Sequence, residues 1–160
     1  MAGNHEKNSG VSLGVISDTH GHLESVVKRF FEGVDVIVHA GDIGKPEILD
    51  TLQSIAPVKA VRGNMDGGAW TSELPLFAFV DIGNIQLYVL HDIYKLDLDP
   101  QSAGLSAVIS GHTHKPSLKK IDGVLYINPG SASQPRNSFP ATIALIRIGN
   151  RRIDARIIEL

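Results

Sequence analysis

Apolar runs that stop abruptly at Gly, His, Asp or Asn recur along the chain. They cover residues 11–17 before Asp18-Thr19-His20, 34–38 before His39-Ala40-Gly41-Asp42, and 58–62 before Gly63-Asn64-Met65-Asp66. The second half repeats the pattern at 85–90 before His91-Asp92, 107–110 before Gly111-His112-Thr113-His114, and 124–127 before Asn128-Pro129-Gly130-Ser131. Short continuous runs rich in β-branched residues are the signature of strands buried on both faces. Between the first three runs the apolar spacing turns helical: Leu23, Val26, Val27, Phe30 and Phe31, then Ile48, Leu49, Leu52 and Ile55, with Pro46 suited to a first turn. This predicts β-α-β-α-β over residues 11–62, and therefore parallel strands with right-handed crossovers. Further on, Gly83-Asn84, Asp122-Gly123 and 149–151 each separate two apolar runs, so they predict hairpins and antiparallel strands. A weak helical pattern over 97–105 separates the halves. The predicted architecture is α/β: two mixed sheets packed face to face with helices outside, in one domain over 11–160 behind a loose polar tail over 1–10.

Composition narrows the chemistry. The chain has 160 residues, enough for one domain with its own core. It has no cysteine, which excludes disulfides, thiolate metal sites and cysteine nucleophiles and suits the cytoplasm. No run approaches the ~18 apolar residues of a membrane span, and the polar start lacks the apolar segment of a secretory signal. A net charge of −2 argues against duplex nucleic acid as a partner. Seven histidines and 17 acidic residues remain, and many of them end strands.

Ligands of open α/β sheets bind where loops converge beyond the carboxyl ends of the strands. Strand ends bearing Asp, His and Asn at that place form a metal-binding set. Imidazole and carboxylate donors without thiolate favour Mn, Fe, Zn, Co or Ni. The donors outnumber the needs of one ion, and two ions about 3.5–4 Å apart would clamp a phosphoryl group. Simpler roles compete at each position. Asp18 and Asp42 also suit turns or helix caps, Asn64 a left-handed turn, and His39 a buried hydrogen bond. Asp66 is open between orienting its loop and plain turn chemistry, and Trp70 between a stacking and a core role.

In order, Asp18-x-His20, Gly41-Asp42, Gly63-Asn64, His91 and Gly111-His112-x-His114 resemble the motif set of the calcineurin-like metallophosphoesterases. The short length, 128–131 and the closing hairpin resemble the small prokaryotic phosphodiesterase branch, to which the retromer scaffold subunit is related. The resemblance covers residues 11–160. It implies two divalent cations, manganese first and Fe, Zn, Ni or Co as alternatives. One would be held by Asp18, His20, Asp42 and His114. The other would be held by Asp42, Asn64, His91 and His112, with Asp42 shared. Residues two apart in extended backbone point the same way, which suits both His-containing pairs. The implied reaction is hydrolysis of a small phosphoester, a diester first and nucleotides among the candidates, by in-line attack of water activated by the ions. Asp42, Asn64, His112 and His114 would carry catalysis. His22, His39, Asp66, Asn128 and Arg136 are candidates for touching substrate or supporting the ligands.

Two positions depart from the family pattern. Met65 stands where many members have the histidine that protonates the leaving group, and a thioether donates no proton. His22 or a water on the ions would then serve, and good leaving groups would be favoured. His91 is followed by Asp92-Ile93 where relatives often carry Gly-His. Competing functions are a phosphomonoesterase and a non-catalytic metal-binding scaffold. The hairpin edges also admit a homodimer.

Overall fold

The computed structural model describes residues 10–133 and 139–160. Ten strands and two α-helices are formed among them: β1 (Val11–Ile16), α1 (Val26–Phe31), β2 (Val36–His39), α2 (Pro46–Gln53), β3 (Val58–Ala60), β4 (Phe77–Ile82), β5 (Ile85–Leu90), β6 (Ala107–Ile109), β7 (Ser117–Ile121), β8 (Val124–Asn128), β9 (Thr142–Gly149) and β10 (Arg152–Glu159). They make two five-stranded sheets, ordered β10-β9-β1-β2-β3 and β4-β5-β6-β8-β7. Both are mixed. β1, β2 and β3 run parallel, as do β5, β6 and β8, while each predicted hairpin closes antiparallel.

Strand parity builds the sandwich. Leu13, Val15 and Val38 of the first sheet and Leu87, Val89 and Ile109 of the second fill the layer between the sheets. The intervening residues of the first sheet, Ile16 and Ile37 among them, meet α1 and α2 through Val27, Phe31, Ile48 and Leu52. Gly14 permits this contact, because a Cβ there would stand 2.6 Å from the Phe31 ring. Pro46 opens α2, where a missing N–H is harmless, and Pro57 follows just beyond its end. Trp70 packs partly buried with this helix-side core, which favours its core role.

The outer face of the second sheet is finished differently. No α-helix forms over 97–105. A 3-10 turn at Ile93–Lys95 precedes the segment, which itself makes hydrogen-bonded turns. Pro100 cannot donate to a helix, and Asp99 caps the amides of Gln101 and Ser102, which satisfies the backbone locally. Leu105, Leu96 and Leu98 still cover Tyr88, Leu90 and Val108. On the closing hairpin Arg147, Arg152 and Arg156 face solvent, as their alternation with isoleucine predicts. No helix among the described residues is long and apolar enough to cross a membrane.

Candidate metal centre

The loops after β1, β2, β3, β5 and β6 meet at one end of the sandwich. The first two lie side by side, with Asp18 N–H donating to Gly41 O (3.0 Å), His20 N–H to Asp42 O (3.0 Å) and Gly21 N–H to Ile43 O (2.8 Å). Their backbone is not the extended form expected. Asp18, His20, Asp42, His112 and His114 all have positive φ, between 48° and 69°. A left-handed L-residue costs roughly 1–2 kcal/mol, and such strain gathers where the surrounding structure imposes it. The consequence is geometric. His112 and His114 reach two different groups instead of pointing the same way.

In the first group, Asp18 Oδ1 lies 3.1 Å from His114 Nε2 and 3.6 Å from His20 Nε2. In the second, Asp42 Oδ2 lies 3.2 Å from His91 Nε2, and His112 Nδ1 stands 3.1 Å from Asn64 Oδ1. The sets Asp18-His20-His114 and Asp42-His91-His112 each gather their donor atoms within 4.8 Å. Asp42 Oδ2 also stands 3.9 Å from His20 Nε2, which joins the two groups.

The donor atoms are aimed by partners behind them. Asp18 Oδ2 accepts from Ser17 Oγ (2.6 Å) and from His112 N–H (3.0 Å), which leaves buried Oδ1 without a hydrogen bond and facing the cluster. His91 Nδ1–H donates to Ala40 O at 2.7 Å, so buried Nε2 presents its lone pair. Asp42 Oδ1 accepts from Met65 N–H at 2.8 Å. Two buried donor atoms without hydrogen bonds, one in each group, fit a pair of cations.

Glycine makes room for these contacts. A Cβ at Gly63 would overlap the Asp42 amide and carboxylate, and one at Gly111 would overlap Ser17 Oγ and stand 2.6 Å from Asp18 Oδ2. That is why glycine precedes Asn64 and His112.

Burial opposes ionisation of Asp42, but the His91 contact and the Met65 amide outweigh it and hold its carboxyl below the usual range. Burial likewise pulls His91 down, while Asp42 and Asp18 outweigh it and move the imidazole up. A proton therefore competes with a cation for His91 Nε2, and acid weakens metal binding.

His39 is fully buried behind the first two loops. Its Nδ1 accepts from Gly41 N–H at 3.1 Å, so a neutral ring carries its proton on Nε2, 3.0 Å from Thr19 Oγ1. Thr19 in turn donates to Ile43 O at 2.8 Å. Burial, then the nearby His91, pushes the His39 pKa down to about 3, which keeps the ring neutral. His39 thus pins the Asp18–His20 loop to the Asp42 loop.

Asp66 does the same from the third loop, accepting from Gly44 N–H (3.0 Å) and Gly63 N–H (2.9 Å). Asn128 holds the fifth loop by donating to Gly111 O (2.9 Å) and Thr113 Oγ1 (3.1 Å). Ser131 Oγ donates to Asp18 O at 2.9 Å. Ser17, Thr19 and Thr113 belong to this support and carried no signal in the sequence beyond adjacency to Asp18, His20, His112 and His114.

Residues 11–151 match the calcineurin-like phosphoesterase superfamily domain. The chain belongs to that superfamily. It is 35% identical over 159 residues to a probable metallophosphoesterase of Methanothermobacter thermautotrophicus, covering 92% of this chain and 91% of the relative. Its fold matches that of a novel archaeal phosphodiesterase, with TM-score 0.77 and 25% identity over 92% of this chain and all of that one. Vacuolar Protein Sorting 29 from Cryptosporidium parvum shares the fold at TM-score 0.76 and 18% identity, over 94% of this chain and 98% of the other.

In this superfamily member Met65 is 68% exposed and contributes to the centre its amide N–H, which donates to Asp42 Oδ1, rather than an acidic side chain. His22 is not drawn into the cluster. Its side chain is 64% exposed and meets Glu24 at 3.0 Å. The turn after Thr19, closed by His22 N–H on Thr19 O, carries it outward. Asp92 stands at the edge, 3.9 Å from His112 Nε2. Arg136 lies outside the described residues.

Proposed function

We propose that this phosphoesterase hydrolyses a small phosphodiester with the aid of two divalent cations, manganese in the first instance. One cation is assigned to Asp18, His20, Asp42 and His114, the other to Asp42, Asn64, His91 and His112. The observation that carries the reading is the pair of buried atoms Asp18 Oδ1 and His91 Nε2, one in each group, with Asp42 Oδ2 lying 3.2 Å from His91 and 3.9 Å from His20 of the other group. When bound, such cations lower the pKa of water and polarise phosphoryl oxygens. The chain's own part is to hold its donors rigid. His39 and Asp66 keep the carboxylate loops in register, and Asn128 keeps the His112–His114 loop in place. Asn64 adds a neutral oxygen donor, which limits the negative charge facing a phosphate anion.

Diester preference is supported by the likeness to an archaeal phosphodiesterase. With Met65 at the histidine position and His22 turned away, the departing alcohol takes its proton from water, so esters of acidic alcohols react fastest. The absence of cysteine suits the reducing cytoplasm. The shared fold of Vacuolar Protein Sorting 29 leaves a scaffold role to be weighed, and the complete ligand set favours catalysis over it.

The test is elemental analysis with hydrolysis of bis(p-nitrophenyl) phosphate in manganese. Two ions per chain are expected. Asp42→Ala should lose at least about a thousandfold in rate, equivalent to roughly 4 kcal/mol of barrier. Wild-type rates in Asp42→Ala, or a chain that takes up no divalent ion, would overturn the proposal.

A further inference from the structure

A cavity of about 290 Å³ opens directly beside the second candidate metal group, with Asn64, His91 and Asp92 at one end. From there it runs across the outer face of the second sheet, which among the described residues carries turns and no α-helix. Its apolar wall is Leu76, Phe77, Tyr88 and Leu90, and within it the Phe77 and Tyr88 rings stack at 5.6 Å with planes 28° apart. Tyr88 is buried, whereas Phe77 is 53% exposed and lies beside the exposed Leu76. Phe79 supports Phe77 edge-on at 6.4 Å. The ring is therefore braced from two sides.

The charges around this cavity cancel. Arg62 and Lys95 oppose Asp92 and Asp97. The Arg62 guanidinium also donates to Asp66 O at 3.2 Å, which ties it to the loop. A net-neutral pocket with a flat apolar wall does not gather a second phosphate. It suits an uncharged planar group, with Lys95 and Asp97 offering a donor and an acceptor to polar atoms on its edge.

We infer that this cavity is the subsite for the organic substituent of the phosphoester, and that it selects a planar aromatic group stacked on Phe77. The inference rests on the proposed function, since the phosphoryl group would sit at the neighbouring metal centre. An aliphatic substituent fills the same space without the face-to-face contact, so aromatic esters bind tighter.

The test uses two small anions that share a phosphoryl anchor, methylphosphonate and phenylphosphonate. Their binding to the manganese-loaded, full-length protein is measured by calorimetry, which needs no turnover. Phenylphosphonate is expected to bind on the order of tenfold tighter than methylphosphonate. Phe77→Ala should erase that difference and leave methylphosphonate affinity unchanged. Phe77→Leu, which keeps apolar bulk without a flat ring, should erase most of it. Because Phe77 is half exposed, neither variant opens a core cavity, and a thermal melt confirms folding. Equal affinity for the two anions in the wild type, or a phenyl advantage that survives in Phe77→Ala, overturns this inference and leaves the proposed function standing. If neither anion binds the loaded protein, the proposed function itself fails and the subsite falls with it.

Discussion

The sheet β10-β9-β1-β2-β3 carries α1 and α2 over its central strands and buries Phe31 completely against Gly14. Among the described residues, the sheet β4-β5-β6-β8-β7 has only turns over its outer face and leaves Phe77 and Phe79 partly in solvent. The two also contribute different chemistry to the end where their loops meet. Both candidate carboxylates, Asp18 and Asp42, follow strands of the helix-covered sheet. Three of the four candidate imidazoles, His91, His112 and His114, follow strands of the open one. Each candidate group therefore draws from both sheets, so the centre exists only where the sandwich is closed. The covered sheet sets the anionic positions, and the open sheet leaves room for a ligand beside them.

The largest separation between the two faces should appear in stability. Phe31→Ala is expected to cost about 3–5 kcal/mol, because it empties a filled core position. Phe77→Ala should cost less than about 1 kcal/mol, because its ring is already half in water. Urea denaturation of the two variants checks the contrast, and equal losses would break it.

The seam itself can be probed by metal. A cation held jointly by the sheets stabilises only the folded chain, so manganese at about a hundred times its dissociation constant should add about 2.7 kcal/mol. That corresponds to a rise of roughly 5–10 °C in melting temperature, lost again in chelator. A melting temperature indifferent to manganese and chelator would mean that the groups do not span the seam with a shared ion.

A smaller, graded effect isolates the covered sheet. His39 stays neutral in the folded chain down to about pH 3, whereas an unfolded imidazole takes a proton near its ordinary value of 6.5. Between those values the unfolded chain binds more protons. The stability contributed by neutral His39 is fully present above pH 6.5 and is lost as pH falls toward 3, by up to about 1.4 kcal/mol per pH unit. His39→Gln should be less stable at pH 7.5 but should show a flatter decline between pH 6.5 and 5. An unchanged slope in the variant would assign the acid sensitivity to other groups.

Much of this was legible along the chain. The alternation of apolar runs with Asp, His and Asn endings located the strands and the hairpins and placed potential donors at strand ends, because strand burial acts through local composition; the set of seven candidate ligands came from the family resemblance. Two things were not legible. Residues 97–105 carry helical apolar spacing, yet Asp99 and Pro100 favour capped turns, and the Tyr88–Val108 face needed only a thin cover. The Asp18-x-His20 and His112-x-His114 pairs read as extended, yet they fold left-handed because neighbouring loops dictate their backbone.

Residue types and their order alone decided which side chains are available for metal chemistry, and that these end the strands of a layered α/β fold. Their convergence was decided by tertiary packing: Gly63 and Gly111 let backbones approach, His39 and Asp66 tie loops far apart in sequence, and Asn128 steadies the last of them. The same packing left a cavity beside the centre, on the sheet face that turns cover only thinly. A sequence records what each residue prefers locally. Distances between loops separated by tens of residues are set only when two sheets close on a common core.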